Sequence, residues 1–190
     1  MVLIACEGSK TEPNYFKGLR EYLKLNPANI VIKPYSLGSD PVSIIKFTLK
    51  EHKRDDYDHI YCVFDKEHTN YQCALDKIKS LAEKKEIPIH AIASVPCFEY
   101  WLLLHYEDTS RPFHQKGSKS VGDQLKSALK KYIKNYHEAN KDVFEITRPH
   151  LKQAITRAKR IDKAHARNDT DNPSTKVYQL VEYLMTIIER

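Results

Sequence analysis

His59-Ile60-Tyr61-Cys62-Val63-Phe64-Asp65-Lys66-Glu67-His68 turns from largely apolar to charged at a single point. β-Branched and aromatic side chains suit a pleated surface, so His59–Phe64 predicts a strand that delivers Asp65-Lys66-Glu67-His68 at its carboxyl end. Upstream, Val2–Cys6 is a short apolar run ending at Glu7-Gly8. A helical pattern begins near Glu12, with Tyr15, Phe16, Leu19, Tyr22 and Leu23 on one side. Ile30–Tyr35 predicts a second strand, closed by Ser36-Leu37-Gly38-Ser39. Asp40-Pro41 then opens a helix to about Lys53, with Asp as N-cap and Pro in the first helical position, where its missing N–H costs nothing. Downstream, a helix over about Tyr71–Lys85 leads to a fourth strand at Ile87–Val95, and Phe98–Tyr106 reads as a dense apolar helix. Four strands separated by helices define an α/β unit with a largely parallel sheet, and such sheets carry functional groups at the carboxyl ends of their strands.

Past Glu107 the character changes. Asp108–Val121 is a polar loop, after which Asp123–Tyr136, Arg148–His165 and Thr175–Ile188 are expected as helices. The reading is an α/β core over residues 1–107 with an α-helical extension over 108–190 packed on it. The formal charge of +6 is unevenly spread: residues 116–167 carry 14 Lys and Arg against 5 Asp and Glu, whereas residues 1–115 carry 15 against 16. Lys and Arg neutralise phosphates and release counterions, so this segment points to a polyanionic partner; a solvated helical face is the plain alternative. No run approaches the roughly 18 consecutive apolar residues of a membrane span, and the N-terminus lacks a positive leader, so a cytoplasmic protein without a membrane partner is expected. Cys6, Cys62, Cys73 and Cys97 show no C-x-x-C or zinc-type spacing, which predicts reduced, mostly buried thiols.

Four segments could carry chemistry. In Cys6-Glu7-Gly8-Ser9-Lys10-Thr11-Glu12 a carboxylate projects from a strand end, Gly8 permits a tight turn, and the loop N–H groups with the helix N-terminus can meet a phosphate. Glu12 could simply serve the first helical turn, where the dipole favours an acid. In Phe64-Asp65-Lys66-Glu67-His68 two acids at i and i+2 project to one side if the strand conformation persists, an oxygen-rich site suited to Mg²⁺. In Ser94–Tyr106, Glu99 lies among apolar and aromatic residues and must be paired, metal-bound or shifted in proton affinity. Trp101 and the leucines there read as core, and His105 more often packs than catalyses. Asp169–Thr175 reads as a turn and cap before the last helix, with a further role in fixing the site loop left open.

Taken together, C-E-G-S-K-T-E-P-N-Y-F, F-D-K-E-H, P-C-F-E-Y-W-L-L-L-H-Y and N-P-S-T resemble the RloB family of bacterial proteins, and they span nearly the whole chain. The resemblance implies a link to restriction-modification and antiviral defence loci, and a Toprim-like fold, here a largely parallel four-stranded sheet flanked by helices. It also implies a Mg²⁺ (or Mn²⁺) site: Glu7 stands where Toprim domains place their first-strand glutamate, and Asp65 with Glu67 where they place D-x-D. Glu67 departs from that pattern by one methylene.

The expected activity is then a metal-dependent nuclease acting on RNA, such as tRNA, or on DNA. Glu7, Asp65 and Glu67 would hold metal, and Glu99 or His105 would move a proton. Lys10, Lys126, Lys130, Lys131, Lys134, Arg157, Lys159 and Arg160 would receive the polyanion. Tyr132 and Tyr136 could stack on bases, although core positions are the more economical reading. A defence-system partner protein and a homo-oligomer are both compatible with the resemblance. The competing readings are a non-catalytic nucleic-acid-binding regulatory protein and a nucleotide or second-messenger binder, since a strand-loop-helix start also receives small phosphate ligands.

Overall fold

Five consecutive apolar residues with no polar face need burial on both sides, and strand β1 (Val2–Cys6) obtains it in the interior of the sheet. In the computed structural model, which describes residues 1–35, 40–66, 70–84, 87–115, 117–168 and 170–188, β1 pairs in parallel with β2 (Ile30–Pro34) and β3 (His59–Asp65). β3 pairs in parallel with β4 (Ile89–Val95), and β4 pairs antiparallel with β5 (Ser174–Thr175), giving the order β2-β1-β3-β4-β5. The α/β architecture with a mostly parallel sheet is as expected. The fifth strand was not: two residues are too short to show alternation.

The pleat divides the core. Ile60, Cys62 and Phe64 of β3 face one layer, formed by helix α2 (Pro41–Asp55) through Ile44 and Ile45 and by helix α3 (Tyr71–Glu83) through Ala74 and Ile78. Tyr61 and Val63 face the other layer. There lie α1 (Thr11–Tyr22), α4 (Glu99–Leu103), α5 (Val121–Leu129), α6 (Val143–Thr147), α7 (Leu151–Asn168) and α8 (Val177–Thr186). This layer joins the two halves of the chain: Val2, Ile4 and Phe16 share one apolar cluster with Leu129, Phe144, Ile161 and Leu184.

Local chemistry sets the helix ends. Asp40 caps α2, its carboxylate accepting from Val42 N at 3.3 Å and Ser43 N at 3.1 Å. The helix expected over Asp123–Tyr136 instead starts after Ser120, whose Oγ accepts from Asp123 N at 3.1 Å, and ends at Leu129. Turns follow, with Asn135 in the left-handed region at φ 59°, which an amide side chain tolerates. Asp169 lies outside the described residues, and residues 170–175 do more than cap a helix. Thr175 Oγ1 accepts from Val177 N at 3.3 Å, but Ser174 and Thr175 also extend the sheet, and Thr175 Oγ1 lies 2.9 Å from Ser94 Oγ. Asn172 holds Phe113 of the polar loop with both amide atoms, and Asp171 accepts from Lys66 Nζ at 2.6 Å. Among the described residues, no helix is long and apolar enough to cross a membrane.

Candidate functional site

The parallel register brings three strand ends together. Glu7 N donates to Val63 O at 2.9 Å, and Lys66 N donates to Ser94 O at 3.0 Å. The buried carboxylate of Glu7 reaches across to β3, where Glu7 Oε2 accepts from Asp65 N at 2.9 Å. Glu7 therefore fixes the backbone that carries Asp65, a fixed link between two of the acids singled out in the sequence. Glu67 lies outside the described residues.

In front of these strand ends is a cavity of about 270 Å³. Its wall includes Gly8 to Glu12 from the β1–α1 loop, Asp65 from β3, Cys97 to Glu99 before and at the start of α4, Gly122 and Lys126 from α5, and Glu138 from the turns beyond. Glu12 has its place because residue 8 has no side chain: a Cβ there would collide with the Glu12 carboxyl. The Glu12 carboxylate accepts from its own backbone N–H and from Gly8 N–H at the start of α1. Burial nevertheless raises its pKa to about 7, and the negative charges of Glu99 and Glu138 add to the rise while the two N–H bonds oppose it. Glu99 is itself buried and accepts from Tyr136 Oη at 3.3 Å. Tyr136 is thus a core residue with its hydroxyl turned to the site.

Cations rim this acidic cavity. Lys126 lines it and pairs with Glu138, whose hydrogen bond raises the ammonium above its ordinary proton affinity. Lys10, Lys126 and Lys130 share an adjoining depression with His137. Lys131 and Lys134 are exposed on the turn that follows α5. The other three basic residues singled out in the sequence go elsewhere. Arg157 Nη1 donates to Leu104 O at 2.7 Å, Lys159 Nζ meets Glu182 Oε1 at 2.6 Å, and Arg160 pairs with Asp108.

His105 also stands apart from the cavity. It is buried among Tyr15 and Trp101, its Nδ1 is 3.0 Å from Trp101 O, and burial lowers its pKa to about 3. A histidine held neutral inside the aromatic core serves packing, and the geometry gives it no access to a substrate. Sequence reading also missed Glu138. It sits on an exposed turn with nothing local to mark it, and Thr11 Oγ1 ties its carbonyl to α1 at 3.1 Å.

Among the described residues, no three His, Cys, Asp or Glu side chains are grouped as a metal cluster. The donor chemistry still fits a hard divalent cation. Burial first, and the charges of Glu99 and Glu138 after it, raise the proton affinity of Glu12, so these carboxylates gain from positive charge, and Mg²⁺ needs only one or two protein carboxylates beside water and phosphate oxygens.

Fold and site define an α/β protein with an acidic, lysine-rimmed cavity at the carboxyl ends of its parallel strands. The chain belongs to the RloB-like protein family, whose model matches residues 2–184. No curated protein and no solved structure matches it.

Proposed function

We propose that this RloB-like protein is a metal-dependent nuclease that hydrolyses phosphodiester bonds of nucleic acid, RNA such as tRNA among them, in bacterial antiphage defence. The observation that supports this most is the crowding of Asp65, Glu12 and Glu99 in one cavity whose rim carries Lys10 and Lys126. Like charges brought together and fringed by cations suit a site where metal and phosphate meet, since the carboxylates attract a cation and the lysines attract the phosphodiester that the carboxylates alone would repel. Glu7, Asp65 and Glu67 would hold Mg²⁺ or Mn²⁺. When bound, such an ion neutralises phosphate oxygens and lowers the pKa of coordinated water.

The chain's own residues supply the rest. Lys10 and Lys126 bind and orient the phosphate backbone. Glu7 keeps Asp65 in place through the Asp65 N–H. Glu12, with a pKa near neutrality, can hold or release a proton at its carboxyl oxygens at working pH, the property required of a general acid or base.

The test incubates the full chain with mixed tRNA, single-stranded RNA and plasmid DNA in Mg²⁺ or Mn²⁺, with EDTA controls. Asp65→Asn and Glu7→Gln variants of verified fold run alongside. Metal-dependent cleavage lost in both variants supports the enzyme. Binding without cleavage, unchanged in the variants, would return the protein to the regulatory class, and thermal stabilisation by nucleotides alone to the nucleotide binders.

A further inference from the structure

Helix α5 hands over to Lys130-Lys131-Tyr132-Ile133-Lys134, a turn in which only Ile133 is buried. Tyr132 is 44% exposed, yet its ring is held firmly. One face lies against Tyr106, with centroids 4.9 Å and planes 6° apart. The Tyr132 hydroxyl donates to Glu107 Oε1 at 3.0 Å, and the Tyr106 hydroxyl to Ile146 O at 3.3 Å. His150 packs on Tyr106 at 5.2 Å. With one face covered, the exposure of Tyr132 falls on the opposite face and the ring edge.

The surroundings decide what such a ring can receive. Lys131 precedes it, Lys134 follows it, and Lys130, two residues back, borders the depression shared with Lys10 and Lys126 beside the acidic cavity. An apolar partner would desolvate these ammonium groups at a cost, whereas a phosphate chain is attracted by them. Bases stack on aromatic rings irrespective of sequence, because every base has a π-face, and a ring fixed in advance loses little entropy on binding. A duplex hides those faces.

We propose that Tyr132, backed by Tyr106, is a stacking platform for an unpaired base, so that the cavity is fed with single-stranded nucleic acid whose phosphates follow Lys131 and Lys130 toward Lys126. The proposal rests on nucleic acid being what the cavity receives, but not on cleavage.

Binding is therefore measured in EDTA by fluorescence anisotropy on the full chain. The probes are a labelled single-stranded oligonucleotide, the same strand with abasic sites, and its duplex. Tyr132→Ala should weaken the single strand about tenfold and leave the abasic strand and the duplex unchanged. Tyr132→Leu, which keeps apolar contact with Tyr106 but has no π-face, should behave like the alanine variant, and Tyr132→Phe like wild type. An equal loss on single strand and duplex, no loss in a folded Tyr132→Ala protein, or no binding of any nucleic acid would each overturn the platform. Normal tyrosine-dependent binding alongside absent cleavage would instead leave it standing and overturn only the nuclease.

Discussion

Along α7 each cation named above has a partner: Arg157 holds Leu104 O, Lys159 holds Glu182, and Arg160 holds Asp108. At the carboxyl end of the sheet, by contrast, Glu12 is raised in pKa by burial and by the charges of Glu99 and Glu138. Glu12 and Glu99 come from the nearly neutral first 115 residues and α7 from the basic segment, yet it is the basic helix whose three named cations are held by partners in the fold and the neutral part that gathers like charge around a cavity. Paired surface charge contributes little and asks for nothing more. Crowded buried charge carries a cost that a ligand of opposite sign removes, which is a physical reason to look for function there rather than on α7.

The largest effect that could break this contrast is catalytic. Asp65→Asn or Glu7→Gln should lower cleavage by about three orders of magnitude, the scale of several kcal/mol that a metal-centred site contributes, with thermal stability preserved. Retained activity would put the chemistry outside this cavity. Next is stability on α7. Arg157→Ala deprives the Leu104 carbonyl of a charged donor and should cost about 1–3 kcal/mol, a fall of a few degrees in Tm, with nucleic-acid affinity unchanged.

The pH response of the cavity should be of comparable or smaller size. The Glu12 carboxyl stays protonated in the fold up to about pH 7 but ionises near its ordinary value of 4.5 once unfolded. Between those values the unfolded chain binds fewer protons, so stability falls as pH rises through the window, by of order 1–3 kcal/mol. Denaturant melts of Glu12→Gln should flatten that slope and exceed wild type above pH 7; an unchanged slope would mean that the carboxyl carries no burial cost. The smallest effect separates the two basic sets. Lys126→Ala and Lys130→Ala should each weaken binding a few-fold and lower the salt slope by about 0.7–0.9, whereas Lys159→Ala should change neither. Equal effects from all three would erase the distinction between rim and helix.

Much of this was legible from residue order. The strands β1 to β4 follow from apolar runs broken by charge, and Glu7 and Asp65 stand at their carboxyl ends because the runs stop there. Sheet order is not written in any one run: that β1 lies between β2 and β3, so that the Glu7 carboxylate meets the Asp65 backbone, emerges only from pairing. Glu12 was readable as a first-turn acid, but its burial against Gly8 and its proximity to Glu99 depend on where α4 packs. Net charge located the basic segment correctly and could not divide it, because division depends on which helix face meets Glu182, Asp108 or the cavity. The end of α5 escaped for a local reason: lysines favour helix, and the left-handed Asn135 that diverts the chain has no periodic signature.

Strand β5 carries a consequence for how the protein is made. It pairs with the last two residues on the outer edge of β4, yet it lies roughly eighty residues further along the chain, so that end of β4 leaves the ribosome well before its partner. Until Ser174 and Thr175 arrive, that edge is available to any neighbouring strand, and Lys66, at the end of β3, lacks its Asp171 partner. A chain cut before Ser174 should consequently pair the end of β4 with foreign strands more readily than one that includes it.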